Sequence, residues 1–136
     1  MQKLILKLAY KDRAAETIAY TTRLNFDKLP KEFRESLLFK LADIDNAIVD
    51  VANTIHRHFD KLPKDLRENL LVKLVDKDTA ASEVCDALLY HFENLSEEVK
   101  LNLNIREQLM FKLANIYDPN IRQQLEQKLS SFYKVS

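Results

Sequence analysis

The stretch FDKLPKEFRESLLFKL, Phe26 to Leu41, returns 33 residues later as FDKLPKDLRENLLVKL, Phe59 to Leu74. Counting down the aligned strings Phe26 to His58 and Phe59 to His91, 17 of 33 positions are identical. A unit this short cannot enclose a core of its own, so its apolar faces have to be buried by stacking on neighbouring units. Within the second copy, Leu66, Leu70, Leu71 and Leu74 form one helical stripe. Ala81, Val84, Cys85, Leu88, Leu89 and Phe92 form another, at i, i+3, i+4, i+7, i+8 and i+11. The first copy repeats both, with Phe33, Leu37, Leu38 and Leu41, then Ile48, Val51, Ala52 and Ile55. Each unit therefore reads as a helical hairpin, and the chain as an all-α solenoid with a 33-residue repeat.

Outward from this pair the copies degrade. Leu4-Ile5-Leu6-Lys7-Leu8 falls on Leu70-Leu71-Val72-Lys73-Leu74, so residues 1–25 read as a first unit without its lead-in, with Met1 aligned to Arg67. After units 26–58 and 59–91, Phe92-Glu93-Asn94-Leu95-Ser96 restarts the lead-in with Ser in place of Pro. The segment Leu109 to Leu113 then matches Leu37 to Leu41 only if six extra residues are admitted. Six residues turn a helix by about 600°, which moves an apolar stripe some 240° round the axis. A kink or break is expected near Asn102 to Asn104, and residues 92–136 read as a longer, divergent capping unit of one domain, 1–136.

Boundary residues carry their own chemistry. Pro30 and Pro63 suit a first helical turn, where a missing N–H is no loss. Asp12, Asp45 and Asp78 recur just before the second helices and are expected to be N-caps. Lys7, Lys40 and Lys73 recur near the end of the first helices, where a cation opposes the helix dipole. Asp118-Pro119 is expected to open the last helix.

Composition narrows the class. The chain has no Gly, three Pro and no Trp. Sheet folds with tight turns need residues tolerant of positive φ, and a Gly-rich phosphate loop cannot be built here. The 21 Lys+Arg balance 21 Asp+Glu, so no net field favours nucleic acid or anionic lipid. Lone Cys85 forms no internal disulfide, which fits a reducing compartment such as the cytoplasm. No stretch approaches the roughly 20 apolar residues of a membrane span.

The passage Leu41-Ala42-Asp43-Ile44-Asp45-Asn46-Ala47-Ile48, followed by Val51-Ala52, resembles the turn between the two helices of HEAT-like repeats. The resemblance implies a right-handed α-solenoid of about three and a half hairpins whose second helices line a concave face. It would place an Arg early in each second helix, at Glu16, Val49, Ser82 and Arg122, and only Arg122 fits. The Phe-Asp-Lys-Leu-Pro lead-in is similar to short helical arrays found C-terminal to the switch domain of bacterial NACHT-type STAND NTPases, which implies a ligand-sensing or docking role.

No pattern of catalytic residues emerges, and no enzyme activity, cofactor or metal is expected. His58 and His91 hold equivalent positions, with His56 nearby, but helix dipoles account for them more simply than a shared ion. On the concave side implied by the resemblance, the outward residues are Thr17, Tyr20 and Thr21, then Asp50, Asn53, Thr54 and Arg57, then Glu83, Asp86 and Tyr90. They differ between copies, as either a ligand-reading face or a merely solvated one would. Tyr20, Asn53, Arg57, Asp86 and Tyr90 are the candidate partner-binding residues, because Tyr and Arg concentrate contact energy. Leu4, Ile5 and Leu8 are the candidate N-terminal docking face, either for an adjoining domain or for a second copy. The chain is thus expected to be a non-enzymatic interaction, scaffold or sensor module. The alternative is nucleic-acid binding through the edge Lys28, Lys31 and Arg34, repeated as Lys61, Lys64 and Arg67, although interleaved acids argue against it.

Overall fold

The computed structural model describes Ile5 and residues 12–133, and every element among them is helical. In order, these are α1 (Asp12–Leu24), α2 (Lys31–Leu41), α3 (Ile48–Arg57), α4 (Lys64–Leu74), α5 (Ala81–Tyr90), α6 (Glu97–Lys100), α7 (Leu103–Ala114) and α8 (Pro119–Phe132). Three 3-10 turns, Phe26–Lys28, Phe59–Lys61 and Phe92–Asn94, precede α2, α4 and α6. No helix among the described residues is long and apolar enough to cross a membrane.

Two of the expected helix starts need correction. Pro30 and Pro63 stand one residue before their helices, with ψ of 140° and 139°. The preceding Leu29 and Leu62 are extended, as sterics before Pro require. Each Pro carbonyl still accepts the first helical bond, from Arg34 N and Arg67 N at 3.0 Å. Asp45 and Asp78 are not caps. They lie exposed in the preceding turns, and the N-cap positions belong to Ala47 and Ala80, without any side-chain bond. Here a turn closes first, through Ala47 N to Ile44 O at 2.9 Å and Ala80 N to Lys77 O at 3.0 Å. A buried Ala at each junction, Ala47 and Ala80, lets the helix start directly against the core. α1 is described from Asp12 onward. Asp118 does cap, its Oδ1 accepting from Asn120 N and Ile121 N.

The closest packing is of α3 against α5 and α1 against α3, with α5 against α7 next. Between and beside them run α2 and α4, whose Leu37, Leu38, Leu41, Leu71 and Leu74 are fully buried with Ile48, Ile55 and Leu88. At roughly 1.5–3 kcal/mol for each such side chain taken out of water, this apolar seam is the main stabilising term. Thr54, expected outside, is fully buried. Its hydroxyl donates to Asp50 O at 2.6 Å, which satisfies the one polar group that burial would otherwise leave open.

Successive helix pairs are joined by an aromatic contact that occurs twice. His58 stacks on Phe26 with ring centres 4.0 Å apart, and His91 stacks on Phe59 at the same distance. The Arg34 guanidinium lies 4.1 Å from the Phe26 ring centre and that of Arg67 3.9 Å from Phe59. Each also donates to the carbonyl of its Phe, at 3.2 and 2.8 Å. Ion pairs reinforce the joints, Lys61 with Asp27 and Lys73 with Asp43.

The C-terminal part departs from this scheme where the six extra residues predicted a break. α6 ends at Lys100, and Asn102 restarts the helix by accepting from Ile105 N at 3.1 Å. Although α7 aligns in sequence with the first helix of a hairpin, it packs chiefly on α5 and α8. Lys112, which aligns with Lys40, reaches Ser82 Oγ at 2.8 Å and Asp86 Oδ1 at 3.4 Å on α5. At the start of α6, Ser96 stands where Pro63 stood, and its N–H donates to Glu68 Oε2 at 2.7 Å. Pro63 has no N–H to offer, and the corresponding Glu35 Oε2 is buried without a hydrogen-bond partner among the described residues.

Candidate partner-binding face

The exposed sides of α1, α3, α5 and α7 form the surface on which the candidate residues fall. On α1, Tyr20 is half exposed and lies beneath the Arg23 guanidinium, 5.2 Å from its ring centre. Arg23 Nε also donates to Asp50 Oδ1 on α3 at 2.9 Å. Tyr20 is thereby held by a part-buried ion pair that neither the repeat nor the composition pointed to. On α3, Asn53 is half-buried, and Arg57 is exposed without an ion pair among the described residues.

The end of α5 carries the largest exposed ring of this surface. Tyr90 is 75 % exposed, yet its inner edge meets His56 at 5.3 Å and His91 at 4.8 Å. A ring both exposed and pinned by neighbours loses little freedom on binding, which suits a contact anchor. Asp86, one turn earlier, is neutralised by Lys112 of α7. Beside that pair is a groove of about 330 Å³ between α5 and α7, lined by Ala81, Cys85, Gln108 and Phe111, with Phe111 70 % exposed at its rim.

Sequence reading thus placed Tyr20, Arg57, Asp86 and Tyr90 correctly at the surface, with Asn53 at its margin. The structure joins Asp86 and Tyr90 to the vicinity of His56 and keeps Tyr20 with Arg23 and Asp50 on the opposite side of α3. It adds His56, Lys112 and Phe111 to the face. His56 could have been found from its position three residues after Asn53, which puts the two on one side of the helix. Phe111 could not, because the repeat alignment assigned α7 to the other layer. Of the N-terminal candidates, Ile5 is helical and half-buried, packed against the core near Leu29, Phe33 and Leu37. Leu4 and Leu8 lie outside the described residues.

Electrostatics are mild. Burial, then the neighbouring His91, hold the His56 imidazole below the ordinary histidine range, with Asp86 pulling the other way and Arg57 adding to the depression. Burial likewise lowers His58, while Asp27 opposes the shift. Burial pushes the Cys85 thiol up to about 11, so it behaves as a small apolar side chain of the core. Among the described residues no group of three or more His, Cys, Asp or Glu could hold a metal ion.

Three of the six residues of the basic edge are engaged by the scaffold, while Lys28, Lys31 and Lys64 stay exposed. Arg34 and Arg67 are half-buried on Phe rings and carbonyls, and Lys61 pairs with Asp27. Arg122, the one Arg at the place the HEAT-like resemblance indicated, donates to Ala114 O and Ile116 O and so secures the end of α7. Compared with protein families, with curated proteins and with solved structures, the chain matches none of them.

Proposed function

We propose that this chain is a non-enzymatic protein-interaction module, an α-solenoid of HEAT-like hairpins with a 33-residue repeat that reads a partner with the exposed face of α1, α3, α5 and α7. One observation carries the reading. At matching positions of the sequence repeat the joint residues Phe, Arg and His are kept, whereas the outward residues change, Tyr20, half-buried Asn53 and Asp86 in one row and Leu24, Arg57 and Tyr90 in the next. A scaffold that is repeated and a surface that is not is the division of labour that gives repeat proteins their specificity. The partner is a protein or an adjoining domain of the same polypeptide, and the sensor role of NACHT-type STAND arrays is the version of this reading that the lead-in favours.

Site-specific photocrosslinking in the native cell tests it. A photoreactive residue replacing Tyr90 or Tyr20 is expected to trap a discrete protein adduct. The same group at Phe39, on α2 and away from this face, is expected to trap none. Adducts from Phe39 alone would move the interface to the other layer, and no adduct at any of the three would overturn the reading.

A further inference from the structure

Two of the three histidines touch where α3 meets α5. The His56 and His91 rings stand edge to face with centres 5.2 Å apart, and Tyr90 lies edge-on to both. His91 is stacked on Phe59 and is itself buried. Its Nε2 is 2.9 Å from the His56 carbonyl oxygen. A carbonyl only accepts, so Nε2 carries the hydrogen and is committed to this bond. His56 Nδ1 is closed off from solvent and has no hydrogen-bond partner among the described residues.

We propose that this cluster is a proton-operated coupling between the two central helix pairs, in which uptake of a proton at His56 in mild acid breaks the ring contacts and loosens α5 and the turn Phe59–Lys61 from α3. An imidazolium donates from both nitrogens, and at Nδ1 of His56 there is no acceptor among the described residues. The charges around it do not compensate. Arg57 on the same helix and His91, just after α5, oppose a positive His56, and Asp86 from α5 alone favours it. Asp86 already lies 3.4 Å from Lys112 of α7. From the other packed elements, α1 brings Arg23, which is held by Asp50, and α4 brings Arg67, over the Phe59 ring. A protonated His56 is therefore relieved by swinging toward solvent, which removes the ring that Tyr90 and His91 lean on. The opened joint binds a proton near the ordinary histidine value of about 6.5, whereas the closed joint resists it. Closure is complete above that pH and is lost progressively as pH falls below it.

Amide hydrogen exchange of the full chain at pH 7.5 and 5.5, corrected for the intrinsic pH dependence of exchange, reads this directly. Protection across α5 and residues 91–94 is expected to fall by about tenfold relative to α2, the equivalent of one pK unit of differential proton binding. His56→Phe keeps a ring against Tyr90 and His91, removes the titrating group and leaves no polar atom unpartnered; it is expected to abolish the loss. No loss in the wild-type chain, or an equal loss in the variant, overturns the proposal. Should the variant not fold, NMR titration of the wild-type His56 ring decides: a midpoint below 6.5 with loss of its ring-current shift supports the coupling, and a midpoint at or above 6.5 rejects it.

Discussion

The central joints and the C-terminal one solve the same problem with different side chains. Phe26 and Phe59 each hold a parallel His ring and an Arg guanidinium. Phe92 begins an equivalent turn, but it meets Phe132 and Tyr133 edge-on, at 5.7 and 6.0 Å, and Lys100 takes the place of Arg at 5.0 Å. At Phe26 and Phe59 the His is the residue just before the following 3-10 turn. At Phe92 the rings come from the end of α8, and the Tyr133 hydroxyl donates to Lys100 O. The lesson is that the Phe of each 3-10 turn is a socket whose plug varies, a stacked imidazole at Phe26 and Phe59 and the end of α8 at Phe92.

The largest effect expected is at a central socket. Phe59→Ala removes a fully buried ring together with the surface on which His91 and Arg67 pack, and should lower unfolding free energy in urea by about 3–5 kcal/mol. Phe92→Ala is expected near the lower end of that range, since edge-on partners can close over part of the cavity. A larger loss for Phe92 than for Phe59 would break the comparison.

The two glutamates sharpen it further. Glu68→Ala removes the acceptor of the Ser96 N–H and leaves that donor in a part-buried site, with an expected cost of about 1.5–3 kcal/mol. Glu35→Ala removes a carboxylate whose buried oxygen has no hydrogen-bond partner among the described residues, and should cost under about 1 kcal/mol or even stabilise. Equal costs would mean that the exchange of Pro63 for Ser96 is not what separates the two sites. Smaller again are the caps. Asp118→Ala should cost about 1 kcal/mol, as loss of a capping acceptor does, whereas Asp45→Ala, in an exposed turn, should stay within about 0.5 kcal/mol. Thermal melts of the two variants side by side measure that difference.

The smallest effect expected is on pH dependence, at the Phe26 joint. Burial lowers the folded-state affinity of His58 for protons, while the unfolded chain titrates at the ordinary value. The unfolded state then binds more protons below about pH 6.5, so this contribution is complete above that pH and declines as pH falls through the depressed native value. His58→Phe, retaining a stacked ring on Phe26, should flatten this part of the urea midpoint between pH 7.5 and 5.5. The C-terminal socket holds no histidine, and Phe132→Leu should leave the pH dependence unchanged.

Much of the molecule was legible in the residues alone. Helix identity followed from the apolar spacings, because a 3.6-residue period lines up one buried face whatever lies against it. The break before α7 followed from arithmetic on the six-residue insertion. The Asp118 cap was readable because it depends only on local backbone groups. The exposure of Tyr20, Arg57, Asp86 and Tyr90 followed from the same periodicity. The Asp45 and Asp78 assignments failed although their chemistry was right, since a tertiary demand for a buried Ala at the helix start shifted the boundary by two residues. Thr54 failed because a hydroxyl bonded to its own helix is cheap to bury.

What the sequence by itself determined is the set of helices and the faces they bury, for those are fixed by interactions among residues a few positions apart. Only the tertiary structure decided which residues meet across units: His58 on Phe26, His91 on Phe59 and on the His56 carbonyl, Lys112 on Asp86, and α7 on α5. Those partners lie roughly thirty residues apart, and their pairing depends on the angle at which one hairpin stacks on the next. That angle is set by packing of the whole core, so no local pattern encodes it.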